Sequence, residues 1–390
     1  MKAGLLGRRL GHSLSPQIHR LFGDYEYRLY EREPEEVERF LRTGFADGEF
    51  GFLNVTIPYK QDVFRLCDEL SPLAQRLGNV NFVMRRADGS LYGDNTDAFG
   101  VGRLLETVGA EVEGRKCAIL GAGGAAMTVK AVLEERGAAE ATFVRRGKTP
   151  SSEASLIVNA TPVGMFPDVD GARIDIAGYP ACETVVDLVY NPSPTRLVRE
   201  ALASGKKAAD GMVMLIAQAW RAYCLATDEK HDDSCLFLYG PPASGKSTLA
   251  RKVAAATGRE LVDLDAEIVK SAGRSIPEIF AAEGESGFRA RELAALKSAA
   301  DGSGRVIALG GGALLNPEAR RIAEASGRVV CLDCALETLL GRLSGGSRPL
   351  ATDRERLRRL VETRREHYAS FPVHVDFQTT ENNKETTNER

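Results

Sequence analysis

The side chains best equipped for chemistry stand together at Gly240, Ser244, Gly245, Lys246, Ser247 and Thr248, in the spacing G-x-x-x-x-G-K-[ST]. A loop of this kind turns backbone N–H groups inward on phosphate. Lys246 then reaches the terminal phosphates of a nucleoside triphosphate, and the Ser247 hydroxyl is a ligand for Mg²⁺. The chemistry needs a strand leading in and a helix leading out, because the helix N-terminus adds its dipole to the anion site. Residues 236–239 supply the apolar strand and residues 249–256 the helical pattern. More than half of the 390 residues precede this loop, so the preceding half forms a domain of its own.

Downstream, residues 260–265 read as a strand with Asp263 and Asp265 two apart on one face, one acid for Mg²⁺ and the other for a substrate hydroxyl. Helical patterns follow at 275–280 and 284–292. The apolar run 307–309 then enters Gly310, Gly311 and Gly312, which bare the backbone to a ligand. These features describe a phosphotransferase.

The first half gathers polar residues where strands end. Ser13 and Ser15 flank one apolar residue; Asn54 and Thr56 share a strand face that Pro58 terminates, with Lys60 just beyond; Asn81 and Asp97 close further strand-like runs. In open α/β sheets such ends line the ligand cleft. Taken singly, each also fits a structural role: a serine before proline caps a helix, and Asn or Asp turns a chain. Residues 116–120 are a strand entering Gly121, Ala122, Gly123, Gly124, Ala125 and Ala126, a G-x-G-x-x-A fingerprint that sets a pyrophosphate on a helix N-terminus. Where an NAD enzyme carries an acid at the end of the next strand, this chain has Arg145 and Arg146, which suit the 2′-phosphate of NADP.

The net charge of −3 leaves no electrostatic footprint for nucleic acid, and no apolar run suits a signal peptide or a membrane span, so a cytoplasmic protein is expected. Seven scattered cysteines suggest reduced thiols, and Cys331-x-x-Cys334 lies in a strand-like run without a second pair. A charged run at 227–234 reads as a linker, short enough when stretched to keep its flanking domains neighbours.

Residues 13–16, 54–60, 95–97, 121–125, 159–165 and 187–192, in that order, resemble the motifs of shikimate dehydrogenase over roughly 1–226. The resemblance implies Lys60 and Asp97 as the catalytic pair, with Ser13, Ser15, Asn54, Thr56, Asn81, Tyr190 and Gln218 on the substrate. The phosphate loop, Asp265, residues 284–292 and 310–312, and the runs around Arg348 and Arg364 resemble shikimate kinase over roughly 235–376. That resemblance implies Asp265, Arg289, Gly311, Gly312 and Arg364 on shikimate, Ser247 and Asp263 on Mg²⁺, and Arg348 on a lid over ATP. Asp265, Lys246 and Arg348 would be the catalytic groups of this half.

The expected fold is α/β: a substrate domain at 1–98 with 192–226, a Rossmann-like NADP domain at 99–191, the linker, a P-loop kinase domain at 235–377 and a polar tail at 378–390. Two departures from the first family stand out. The stretch between Arg146 and Asn159 is too short for the usual further helix and strand, and Val213 replaces a glycine. The combined expectation is an NADPH-dependent reduction of 3-dehydroshikimate to shikimate, followed by its Mg-ATP-dependent phosphorylation. A quinate/shikimate dehydrogenase joined to another kinase, or a kinase with a catalytically silent scaffold, also fits parts of the pattern.

Overall fold

Strands that are apolar along their whole length must be covered on both faces, and the chain contains many of them. The computed structural model describes residues 1–11, 13–171, 174–228, 234–300, 302, 304–342 and 353–377. Most of the linker, Arg348 with its surroundings, and the tail from residue 378 lie outside the described residues. The chain divides into two compact units: Met1–Pro16, Asp24–Asp228 and Ala255–Thr257 form the first, and Gln17–Gly23, Glu229–Ala254 and Gly258–Arg390 the second.

The first unit holds two sheets. One contains β1 (Lys2–Gly7), β2 (Glu26–Glu31), β3 (Phe52–Val55), β4 (Glu69–Leu70), β5 (Phe82–Arg85) and β6 (Leu91–Asp94), in the order β2-β1-β3-β5-β6-β4. β5 runs antiparallel to both its neighbours, and the other pairings are parallel. Its core is aromatic and aliphatic, with Phe52, Phe82, Leu53 and Tyr59 fully buried.

The second sheet contains β7 (Lys116–Leu120), β8 (Glu140–Val144), β9 (Leu156–Asn159), β10 (Thr184–Asp187) and β11 (Lys207–Ala209), in the order β11-β10-β9-β7-β8. All its pairings are parallel. The eleven residues between β8 and β9, 145–155, contain no helix or strand, and β8 stays at the edge. This is the shortened half that the sequence spacing implies.

The second unit is built on β12 (Cys235–Tyr239), β13 (Leu261–Asp263), β14 (Val306–Ala308), β15 (Gly327–Leu332) and β16 (His374–Val375), parallel throughout and ordered β13-β14-β12-β15-β16. All five residues of β12 are buried. The helix Lys246–Thr257 follows the phosphate loop. The two helical patterns at 275–292 merge into one helix, Ile276–Ala299, broken at Gly284 by a φ of 70°.

One strand reading needs correction. Asp263 and Asp265 do not share a strand face, because β13 stops at Asp263, which caps the helix Leu264–Ala272, and Asp265 stands in that helix's first turn. Aspartate competes well for backbone N–H groups at a helix start, and that preference ends the strand early.

Phe237, fully buried at the centre of β12, packs in the kinase-side core with Tyr239, Ile307, Leu309 and Val329. Phe237→Ala is expected to cost ~3–5 kcal/mol, measured as the loss in denaturant-unfolding free energy of this unit.

Candidate functional site

In the first unit the strand β3 ends before Thr56, and the next turn starts the helix Lys60–Leu66. Thr56 still joins the ladder, its N–H donating to the Leu6 carbonyl at 2.9 Å. Lys60 is therefore the first residue of a helix rather than a side chain just past a strand. Asp97 likewise opens the helix Asp97–Val108. The two meet as an ion pair, Lys60 Nζ donating to Asp97 Oδ2 at 2.5 Å, with 18% and 11% of their side chains exposed. A charged pair so sparingly solvated is far less screened than a surface pair.

Asn81 sets the second oxygen of that acid. Its amide donates to Asp97 Oδ1 at 2.8 Å and to Thr96 Oγ1 at 3.0 Å, and its own oxygen accepts the Thr96 N–H at 2.6 Å. Both amide protons and the carbonyl are thus engaged with protein. Asn81, read from the sequence as a substrate contact, holds Asp97 in place.

The remaining polar groups form a second cluster. Tyr27 on β2 donates to Asn54 Oδ1 at 2.9 Å, and Asn54 Nδ2 lies 3.5 Å from Gln218 Oε1. Ser13 Oγ donates to Ser15 Oγ at 3.1 Å and accepts the Ser15 N–H at 3.2 Å. Burial pushes the Tyr27 phenol well up from its ordinary range, with Tyr25 adding to the shift and a hydrogen bond with Ser15 opposing it. Tyr27 therefore joins Ser15 and Asn54 as a neutral donor and acceptor. Sequence reasoning missed it, since a lone tyrosine in an edge strand carries no motif.

At the fingerprint, Gly121 adopts a φ of 113°, and a Cβ there would stand 2.9 Å from Thr161 Cγ2. Only glycine combines that conformation with that approach. Above Gly123 and Gly124 a Cβ would meet nothing within 4 Å, so the N-terminus of the helix Gly124–Glu135 is open for a phosphate to approach. Ala125 is half-buried and Ala126 fully buried in that first turn, while Arg145 and Arg146 are exposed after β8. Tyr190 is half-buried beyond the end of β10, and burial raises its phenol pKa.

In the second unit Lys246 is buried, and its Nζ donates to the carbonyls of Gly240 at 2.9 Å and Pro241 at 2.7 Å. It bridges the loop that it belongs to. Ser244 Oγ is buried without a hydrogen-bond partner, a feature that a bound phosphate oxygen would relieve. Ser247 is half-buried and Thr248 exposed. The side chain of Asp263 caps its helix through the Ala266 N–H at 3.4 Å, a weak contact that leaves acceptor capacity for a cation's water shell. These loops fit a nucleotide and Mg²⁺.

Opposite the loop, Gly310, Gly311 and Gly312 are covered by functional side chains. A Cβ on Gly310 would stand 2.5 Å from Glu292 Oε1 and 3.4 Å from Asp265 Oδ1, and one on Gly312 would stand 2.6 Å from Arg289 Nη2. Arg364 Nη1 and Tyr368 Oη both donate to the Gly311 carbonyl, at 3.2 and 2.6 Å. Arg289 pairs with Glu292 at 2.5 Å. Burial raises the Glu292 carboxyl pKa, Arg289 opposing the shift and Asp265 adding to it. The result is a small basin with two guanidinium groups for a carboxylate and one acid, Asp265, for a hydroxyl. Glu292 was not singled out from sequence, although its place three residues after Arg289 on a helix is a signal for an ion pair.

Cys331 and Cys334 do not act together: Cys331 is buried in the core with its thiol pushed up to about 12, and Cys334 packs in a separate cluster with Leu339 and Leu340. Cys331, Asp333 and His374 bring donor atoms within 4.8 Å of one another. His374 spends both ring nitrogens, on Asp333 at 2.8 Å and on the Phe371 carbonyl at 2.9 Å. No helix among the described residues is long and apolar enough to cross a membrane.

Comparison with known proteins matches residues 5–83 to the model of the shikimate dehydrogenase substrate binding domain and residues 242–390 to that of shikimate kinase. The NADP⁺-dependent shikimate dehydrogenase of Methanosarcina barkeri is 35% identical over 258 residues, covering 57% of this chain and 91% of that protein. Among solved structures, Thermus thermophilus shikimate 5-dehydrogenase in complex with NADP(H) and shikimate aligns with a TM-score of 0.53 at 32% identity, over 59% of this chain and 94% of that one. Corynebacterium glutamicum quinate dehydrogenase in complex with NAD aligns with a TM-score of 0.53 at 30% identity, over the same shares.

Removing Arg289 strands the Glu292 carboxylate. A carboxyl whose folded pKa is raised stabilises the fold at low pH and loses that contribution as pH rises through the folded value. Arg289→Ala raises the value further, so it is expected to cost about 3–5 kcal/mol at pH 7 and clearly less near pH 4, measured by urea unfolding at both.

Proposed function

We infer, because the chain belongs to the shikimate dehydrogenase family and carries a shikimate kinase domain behind it, that it catalyses two consecutive steps on one compound: NADPH-dependent reduction of 3-dehydroshikimate to shikimate, and phosphorylation of shikimate to shikimate 3-phosphate. The observation that carries the first step is the Lys60–Asp97 pair, fixed from behind by Asn81. When bound, NADPH supplies the hydride, ATP the phosphoryl group, and Mg²⁺ the charge that offsets the phosphates.

In this reading Lys60 donates a proton to the C3 carbonyl oxygen as that carbonyl becomes a hydroxyl, and Asp97 aims the ammonium and accepts from a neighbouring hydroxyl. Ser13, Ser15, Asn54, Thr56, Tyr190 and Gln218 hold the rest of the substrate. The helix N-terminus at Gly121–Ala125 takes the pyrophosphate, and Arg145 with Arg146 takes the 2′-phosphate. In the kinase domain Arg289 and Arg364 grip the carboxylate, while Gly311 and Gly312 admit the ring to the backbone. Asp265 accepts the proton of the attacking hydroxyl, Ser247 and Asp263 hold Mg²⁺, and Lys246 with Arg348 balances charge on the transferring group. We assign the substrate domain to 1–98 with 192–226, the NADP domain to 99–191 and the kinase domain to 235–377. Seven free cysteines support a cytoplasmic setting.

Shikimate oxidation by the full-length protein with NADP⁺ tests the first activity, run in parallel with NAD⁺ and with quinate. Lys60→Ala is expected to lower that rate by ~10²–10⁴-fold and to leave phosphorylation intact, and Lys246→Ala to do the reverse. Turnover confined to quinate with NAD⁺ would replace the first step with a quinate oxidation. The double change Arg145→Ala, Arg146→Ala is expected to raise the KM for NADP⁺ by roughly tenfold or more, the loss of charge-assisted phosphate contacts, with the KM for NAD⁺ unchanged.

A further inference from the structure

At the carboxyl end of the NADP-side sheet, Asp187 and Asn159 stand opposite one another as the last residues of β10 and β9. Asp187 is 1% exposed, and among the described residues its carboxylate has no cationic partner. Its Oδ1 accepts Asn159 Nδ2 at 2.8 Å and the Val189 N–H at 3.1 Å, and its Oδ2 accepts the Thr195 hydroxyl at 2.7 Å. Asn159 Nδ2 and the Val189 N–H can only donate, so Oδ1 is a fixed acceptor, and with the Thr195 hydroxyl on Oδ2 the set is complementary to an ionised carboxylate.

The contacts lead in two directions. Asn159 Oδ1 takes the N–H and hydroxyl of Thr161, at 3.1 and 2.7 Å, and its amide also reaches the Val163 carbonyl at 3.3 Å. Thr161 is the residue whose methyl crowds Gly121, so this branch sets the wall of the dinucleotide fingerprint. On the other side, Thr195 caps the helix Arg196–Ala203, and the Val189 carbonyl accepts the Gly211 N–H at 2.9 Å, at the start of the helix Met212–Thr227 that carries Gln218. The segment between them carries Tyr190, and it is tied back to the first branch by the Phe166 N–H on the Asn191 carbonyl at 3.0 Å.

We propose that Asp187 is a positioning residue of the dehydrogenase reaction, whose buried carboxylate locks the cofactor-facing loop after β9 and the substrate-facing loop after β10 into one arrangement. The inference rests on the dehydrogenase reading above. Burying an acid without a cation is unfavourable, and core stability alone is served as well by neutral groups. Here burial raises the carboxyl pKa to about 6, with the Thr195, Val189 and Asn159 hydrogen bonds opposing the shift and the like charge of Asp210 adding to it. Asp210 is itself held by the Ser193 hydroxyl at 2.6 Å and the Met212 N–H at 3.1 Å. Because the folded value lies above the ordinary one, ionising Asp187 lowers fold stability as pH rises through about 6, while supplying the acceptor that both loops require.

The test compares the unsubstituted full-length protein with Asp187→Asn, Thr195→Val and Thr195→Ser. NADP-linked shikimate oxidation by the unsubstituted chain is expected to fall as pH drops through about 6, when Asp187 takes up a proton and one loop loses its acceptor. Asp187→Asn is expected to lower kcat by roughly tenfold or more through misplaced reacting groups, to raise the KM for NADP⁺ several-fold, and to lack that acid limb. Thr195→Val should move the same parameters in the same direction, and Thr195→Ser should restore them, with shikimate phosphorylation by the same molecules unchanged throughout. Absence of oxidation by the unsubstituted chain would overturn the dehydrogenase reading and this inference with it. Oxidation by that chain, with kcat, KM and pH profile unaltered in Asp187→Asn, would overturn the inference alone. So would variants whose only change is a lower unfolding temperature.

Discussion

A parallel strand buried on both faces has no room for a polar side chain along its length, so groups able to do chemistry are driven to the point where it stops. β9, β10 and β12 are buried at every residue, and their amide and carboxylate groups come last: Asn159 ends β9, Asp187 ends β10, and the phosphate loop follows β12. The mixed sheet obeys the same constraint, with Asn54 near the end of β3 and Asp97 opening the helix after β6. Both activities follow from this arrangement, because the helices that begin where the strands end point their N–H groups at whatever anion arrives.

Polar residues moved to those ends are still largely buried, and each acid there depends on its donors. Asp97 has a cation and an amide, Glu292 has one cation, and Asp187 has neutral donors alone. The ordering has a chemical logic. In the proposed reading the acid beside the reacting oxygen, Asp97, is coupled to the proton donor itself, whereas Glu292 and Asp187 act by fixing other side chains. Arg289 illustrates the second type: its guanidinium is paired with the buried Glu292, which in the proposed reading aims it at the substrate carboxylate.

The NADP-side sheet reaches its task with fewer parts than a full dinucleotide fold. Among the described residues no strand pairs beyond β8, and Lys130 Nζ donates to the Ala141 carbonyl at 3.0 Å on that edge strand. A lysine covering an edge is a recognised defence against unwanted strand pairing. The fingerprint follows β7, an interior strand flanked by β8 and β9, and does not need a further strand for its own support.

Much of this protein is legible from its residue order. The phosphate loop, the dinucleotide turn and the shortened stretch after Arg146 are local, since each depends on glycine conformations and spacings within about a dozen residues. Lys60 and Asp97 are legible as well, through the motifs that contain them. What tertiary structure alone decided is which of these groups meet. Asn81, which the sequence offered for the substrate, also meets Asp97, because β5 and β6 bring the two chain segments side by side. Asp265 left the strand for a helix because Asp263 found a backbone donor first. Tyr27 carries no motif, and although Asp187 and Glu292 lie inside motif segments, nothing in those segments names Asn159 and Thr195 as the partners of Asp187 or a fully covered site for Glu292; a hydrogen bond between distant residues exists only once the strands that carry them have paired.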